Sequence, residues 1–269
     1  MRIVFIGGGN MAAALIGGLL RGGRRAEELA VVEVDAARCV QLKEQFGVAA
    51  ATAPDPSLRD ADAVVLAVKP QQMRAACEAA RPHLGTPVVV SIAAGTRSAD
   101  IARWLGTEAI VRTMPNTPAL IGRGITGMAA TARVSSEQRA LAESILCAAG
   151  DVLWFDDEAQ LDPVTAVSGS GPAYVFYFIE ALVRAGVELG LSAQQSRALA
   201  VQTFVGAAHL AAESAEPLGT LRSRVTSKGG TTAAALAWLE ANAVGARIVE
   251  AVHAANRRAG ELADEFGRQ

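Results

Sequence analysis

The sequence predicts two domains in series: an α/β domain with a doubly wound, mostly parallel sheet over residues 1–157, then an all-α domain over 158–269. Three observations predict it. Short Val/Ile runs alternate with helical stretches up to about residue 155, the β-branched runs stop after Pro163, and alanine-rich helical segments fill the remainder. A chain of 269 residues, 51% hydrophobic and 19% charged, has the length and the apolar content to bury a core in each domain.

The predicted strands are "IVFI" (3–6), "AVVEV" (30–34), "AVVLAV" (63–68), "PVVVSI" (87–92) and "AIVRTM" (109–114). Unbroken Val/Ile runs suit strands covered on both faces, and helices between them imply right-handed crossovers in a parallel sheet. "ITGMAA" (125–130) and "DVLWF" (151–155) add two strands. Between them Ser135 and Gln138 form the sequence signature of a capping box, opening a helix that runs to about Ala149. Over 172–190, Tyr174, Phe178, Ala181, Leu182, Ala185 and Leu189 share one helix face, while Val175, Phe176, Tyr177 and Ile179 make the other face apolar too. Such a helix needs cover on every side, and a partner subunit is its simplest source, so at least a dimer is expected. A second capping box, Ser192 with Gln195, starts the next helix, which "EPLG" (216–219) ends.

Composition narrows the function classes. Lysine plus arginine total 25 against 27 acidic residues, with no basic run of the kind nucleic-acid binding uses. Uninterrupted apolar stretches fall short of the roughly 20 residues that span a bilayer. Arg2 precedes only a short apolar run ended by "GGG", unlike a secretory leader. A cytoplasmic protein is expected. Cys39, Cys77 and Cys147 are scattered and read as reduced, buried thiols, and His83, His209 and His253 form no ligand motif, so no metal is assigned.

Gly7-x-Gly9-x-x-Ala12 follows the first strand directly, enclosing Asn10 and Met11. The first glycine permits a tight turn, the second lets a pyrophosphate approach the backbone, and the small third residue lets helix and sheet pack closely. The helix start then offers free N–H groups to the diphosphate. This pattern predicts dinucleotide binding; a plain tight turn is the alternative. About 20 positions beyond Ala12 stands Glu33, placed to accept hydrogen bonds from the adenosine ribose, with Asp35 beside it. Its carboxylate repels a 2′-phosphate and favours NADH, whereas Arg38 would favour NADPH. Three more segments follow predicted strands: "AVKPQQM" with Ala67, Val68, Lys69 and Pro70; "SIAAG" with Ala93, Ala94 and Gly95; and "RTMPNTPA" with Pro115 and Asn116. Loops at the carboxyl ends of the strands line the ligand crevice of an open α/β sheet. For each of these residues an ordinary structural turn is the alternative.

The last signal is "VTSKGGTTAAAL" (225–236), where small and polar residues interrupt a helical region. Each glycine costs about 1 kcal/mol relative to alanine inside a helix, so the paired Gly229 and Gly230 mark a place where something meets the backbone.

Taken together, "GGGNMAAA", "AVKPQ", "SIAAG", "RTMPNTPA", "SGSGPAYVFYFIEAL" and "VTSKGGTTAAA" closely resemble the pyrroline-5-carboxylate reductase family, from the first strand to the final helix. The resemblance implies a Rossmann domain followed by a helical dimerisation domain similar to that of 6-phosphogluconate dehydrogenase. It implies reduction of 1-pyrroline-5-carboxylate to L-proline with NADPH or NADH, the last step of proline biosynthesis. It also implies that Ser227, Gly229, Gly230, Thr231 and Thr232 receive the substrate carboxylate through N–H groups and hydroxyls. Thr232 would lie near the ring nitrogen as the catalytic candidate, and Ser168, Ser170 and Gly171 would shape the pocket. A Gly-Gly loop with a threonine cap is the plain alternative. Related positions often hold proline in place of Lys228, which marks it as a surface residue. Members preferring NADPH commonly carry Asn-Arg or serine after the second strand, where this chain has "EVDAAR", so the cofactor preference stays open.

Overall fold

The structure is a computed structural model that describes residues 1–268. Eight strands form one sheet: β1 Ile3–Ile6, β2 Leu29–Val32, β3 Ala49–Ala51, β4 Ala63–Leu66, β5 Val88–Ser91, β6 Ile110–Met114, β7 Gly124–Ala130 and β8 Gly150–Phe155. Their order is β3-β2-β1-β4-β5-β6-β7-β8. All neighbours are parallel except β6 and β7. The helices of this part are α1 Asn10–Arg21, α2 Ala36–Phe46, α3 Met73–Ala80, α4 Ser98–Leu105, α5 Ser136–Leu146 and the short α6 Leu161–Val164. Alternate β1 residues feed two cores: Ile3 and Phe5 pack on one face of the sheet, Val4 and Ile6 on the other. Two covered faces are what the unbroken Val/Ile runs require.

β3 is absent from the sequence reading. Three alanines carry no β-branched signal, yet Ala49, Ala50 and Ala51 pair in parallel with Ala30, Val31 and Val32. β2 and β4 also stop two residues earlier than expected, which frees Glu33, Val34, Ala67 and Val68 as loop residues at the carboxyl edge of the sheet. Both predicted capping boxes form, Ser135 with Gln138 and Ser192 with Gln195.

The compact units divide elsewhere than at 157/158. One comprises Met1–Ser170 with the chain from Ala255 onward, the other Gly171–Ala254. Packing explains the difference: Leu161 and Ala166 are buried after the last strand, and Ala263 and Phe266 are buried at the far end of the chain. Gly127 of β7 has no room for a Cβ because Val164 and Leu161 press against it. A buried ion cluster reinforces this junction. Arg112 of β6, 4% exposed, reaches Glu158 at 3.0 Å and Asp162 at 3.3 Å.

The second unit holds α7 Gly171–Glu188, α8 Ala193–Glu213, α9 Leu218–Arg224, α10 Thr231–Ala241 and the first part of α11 Val244–Gly267. α7 packs on α8 but buries none of its residues, and Tyr177 is 70% exposed. The helical stretch Glu158–Glu188 is long and apolar enough, by length and composition alone, to cross a membrane. Counting unbroken apolar runs missed it because glycine, serine and proline interrupt the run without making it hydrophilic. Cysteine burial needs a correction as well: Cys39 and Cys77 are buried, whereas Cys147 is exposed. Burial pushes the Cys77 thiol up to about 12.

Candidate active site

The glycine loop joins β1 to α1. Gly7 adopts φ +100°, and its N–H donates to the Val32 carbonyl at 2.8 Å. A Cβ at Gly7 would meet the Ala67 backbone at 2.7 Å, so only glycine fits between the two loops. Gly8 is gripped from both sides, its N–H donating to Glu33 Oε2 at 2.7 Å and its carbonyl accepting from Arg38 Nε at 2.8 Å. The second Glu33 oxygen accepts the Asp35 N–H at 3.0 Å. The carboxylate is therefore held rigidly at the loop, with further lone pairs on both oxygens. Gly9 differs: nothing lies within 4 Å of where its Cβ would be, and it caps α1 without a side chain. Asn10 and Met11 begin α1, whose first-turn N–H groups have no acceptor within the helix. Ala12 is fully buried against the core.

Six of the predicted residues, Gly7, Gly9, Glu33, Ala67, Val68 and Lys69, line one cleft of about 470 Å³, whose facing wall includes Ala75, Ala76 and Ala79 on and beside the α3 face. An open glycine and a held carboxylate in one cleft, with the start of α1 next in sequence to that glycine, fit a dinucleotide. Pro70 opens the 3-10 turn Pro70–Gln72 at its rim. Ala93 is buried in the core, and Gly95, at φ +72°, lies against the last turns of α11.

Asn116 makes two hydrogen bonds to the chain. Its amide nitrogen donates to the Ser168 carbonyl at 3.2 Å and its oxygen accepts the Ile125 N–H at 3.0 Å. Pro115, beside it, is buried. This bracket ties the "MPNTP" loop to a π-helical turn, Thr165–Gly169, that continues α6. Such turns concentrate at functional sites. Ser168 Oγ donates back to the Val164 carbonyl at 3.1 Å and the Ser170 N–H to Thr165 at 2.8 Å. Gly169 is bare because the Met114 methyl occupies the place of a Cβ. The "RTMPNTPA" and "SGSG" motifs thus form one packed junction.

In the helical unit, residues 227–233 form the start of α10. Gly229 adopts φ +72° with open space around it. The Gly230 N–H donates to the Ser227 carbonyl at 3.0 Å, which removes that amide from the set of free donors. Gly230 caps α10 and has no side chain to satisfy the helix start, so the donors on offer are the N–H groups of Thr231, Thr232 and Ala233. The donor group therefore sits one residue further along than the glycine pair suggested. Ser227 Oγ lies where a Gly230 Cβ would be, which explains the second glycine. Lys228 is exposed.

Two sets of residues escaped sequence reading. Arg112 lies 46 positions from Glu158 and 50 from Asp162, and an arginine inside a strand gives no sign of its partners. The same holds for Phe266, whose contact with Gly95 joins the last helix to the loop after β5.

Comparison with known proteins adds the following. A family model described as pyrroline-5-carboxylate reductase dimerisation matches residues 158–262, and one described as NADP oxidoreductase coenzyme F420-dependent matches residues 2–95. The chain is 45% identical to the pyrroline-5-carboxylate reductase of Pseudomonas aeruginosa, over 99% of its own length and 98% of that protein. Identity to the Synechocystis enzyme of the same name is 39%, over 97% and 98%. The structure of the Coxiella burnetii pyrroline-5-carboxylate reductase matches with a TM-score of 0.91 at 40% identity, covering 97% of this chain and 98% of that one. The Plasmodium falciparum pyrroline carboxylate reductase, solved with NADP bound, matches with a TM-score of 0.86 at 30% identity, covering 98% of each.

Proposed function

The chain belongs to the pyrroline-5-carboxylate reductase family, and from that premise we propose how its own residues serve the reaction. It is an oxidoreductase that reduces 1-pyrroline-5-carboxylate to L-proline at the expense of NADH or NADPH, completing proline biosynthesis. When bound, the reduced nicotinamide supplies the hydride.

Gly9 and the first-turn N–H groups of Asn10 and Met11 would hold the diphosphate, where the α1 dipole favours negative charge. Glu33 accepts from the adenosine ribose with lone pairs left free by Gly8 and Asp35. Ala67, Val68 and Lys69 line the cleft and Pro70 follows them; the loop that carries Ala93, Ala94 and Gly95 leaves the carboxyl end of β5 and is assigned to the cofactor from that position in the sheet. Pro115 and Asn116 act from behind, Asn116 by holding the π-turn that carries Ser168 and leads to Ser170.

The substrate carboxylate is received at the start of α10. Successive N–H donors at Thr231, Thr232 and Ala233, the positive end of an 11-residue helix and the left-handed Gly229 make a nest for an anion. Ser227 and Thr231 hydroxyls complete it. Thr232 Oγ accepts a hydrogen bond from the protonated ring nitrogen and so orients C5 of the iminium. A protonated imine is already electrophilic, so the chain needs to position it and needs no strong acid of its own.

The single observation that carries this reading is the α10 start, open to an anion and built on two glycines. Glu33 disfavours a 2′-phosphate by charge repulsion while Arg38, at the same loop, would attract one, so the balance of the two sets the cofactor preference. The uncovered α7 and the matched dimerisation region support a homo-oligomer of at least two subunits. Three unpaired cysteines suit a reducing cytoplasm; the partners are a small molecule and copies of the chain, with no metal, nucleic acid or membrane. Purified protein mixed with pyrroline-5-carboxylate and either reduced cofactor should consume nicotinamide absorbance only when both reactants are present. No consumption with either cofactor would overturn the assignment.

A further inference from the structure

The last turns of α11 grip the loop that follows β5. A Cβ at Gly95 would meet the Phe266 ring at 3.2 Å and Leu262 Cβ at 3.5 Å. Phe266 is 7% exposed. Polar contacts flank this plate: Arg97 Nη2 donates to Asp264 Oδ1 at 2.6 Å, and Arg103 Nη2 donates to the Gly267 carbonyl at 3.1 Å. The loop is tied on its other side through the Ser98 N–H, which donates at 2.8 Å to Glu158, the carboxylate that also pairs with buried Arg112. Between β5 and α4 the loop has no regular ladder of its own, and the buried Thr96 hydroxyl has no partner among the described residues. Its position is set by what presses on it.

We propose that Phe266 is a positioning residue for the cofactor site: its ring fixes the Ala93–Gly95 backbone in the arrangement that receives the nicotinamide dinucleotide. This rests on the reading that these residues edge the nucleotide cleft. Phe266 acts only through Gly95. Without the ring the loop samples other arrangements, and the cofactor binds the competent fraction alone. If that fraction falls to about one tenth, apparent affinity falls about tenfold, while turnover of the assembled complex is unchanged.

Hydrogen exchange over residues 92–98 and steady-state kinetics, both on the intact oligomer, test this. In the wild type, NADH or NADPH should slow exchange at 92–98. Phe266→Ala should speed exchange there without cofactor and raise the cofactor KM about tenfold, with kcat within about twofold. Phe266→Leu, which keeps an apolar side chain on Gly95, should recover most of the affinity. Should Phe266→Ala fail to fold, Asp264→Ala on the exposed side of the same turn should shift both readouts in the same direction by less. Unchanged exchange and unchanged KM would overturn the positioning role, as would an equal loss in kcat and kcat/KM without Leu rescue. Absent cofactor protection at 92–98 in the wild type would instead remove the underlying reading of the loop.

Discussion

Single residues in this chain divide by what their polar atoms are already doing. Asn116 gives an amide N–H to Ser168 and its oxygen to Ile125, whereas Gly9 has open space beside it and the Thr231–Ala233 N–H groups have no acceptor within their helix. Thr232 is the sharpest case. A hydrogen bond to a charged group is worth about 1.5–3 kcal/mol, so Thr232→Val should lower kcat/KM for pyrroline-5-carboxylate roughly 10- to 100-fold. Cofactor affinity, measured by fluorescence titration, should stay near wild type. Glu33→Ala is expected to weaken both cofactors by releasing Gly8, yet to move preference towards NADPH. Removing about 1 kcal/mol of repulsion shifts the NADPH to NADH ratio of kcat/KM about fivefold, and an unmoved ratio would take Glu33 out of cofactor selection. Cys77 predicts a pH effect. Burial raises its folded pKa from 9.0 to about 12, so unfolding is favoured once the unfolded thiol ionises. Its contribution is complete below pH 9.0 and is lost as pH rises towards about 12. Urea midpoints should fall more steeply over that range in wild type than in Cys77→Ala.

At the scale of elements, legibility followed local chemistry. Both capping boxes were readable because serine and glutamine three apart state their own geometry. The α10 start was readable because adjacent glycines in a helical region mark a break, and the structure uses Gly229 for a left-handed turn and Gly230 as the cap. β3 was not, since alanine favours helix over strand and its partners Ala30, Val31 and Val32 come from another stretch. Arg112, Glu158 and Asp162 were invisible for a related reason: the sequence names charges but not which ones meet. The cluster now makes its own prediction. Arg112→Met leaves two carboxylates facing a lost cation, and breaking a buried pair costs about 3–5 kcal/mol. Glu158 and Asp162 retain some solvent, so about 3 kcal/mol is expected by urea unfolding, with part recovered in Arg112→Met/Glu158→Gln.

At the scale of the whole molecule, one unit carries the buried cores and the other leaves a long apolar helix uncovered. Phe176 and Tyr177 are exposed far beyond what a monomer in water favours. Light scattering should report a dimer or larger, and Phe176→Asp with Tyr177→Asp should lower the mass; a wild-type monomer would contradict the assembly argument. The overall division into an α/β part and a helical part was legible because hydrophobic period changes after Pro163. Where the compact units divide was not, since burial of Leu161 and Phe266 depends on tertiary contacts. The account stands on where the substrate's carboxylate goes, and a crystal structure of the protein with oxidised cofactor and L-proline locates it directly. Carboxylate oxygens within hydrogen-bond distance of the Thr231 to Ala233 N–H groups would bear it out. A proline carboxylate bound elsewhere, with those amides satisfied by the chain itself, would contradict it.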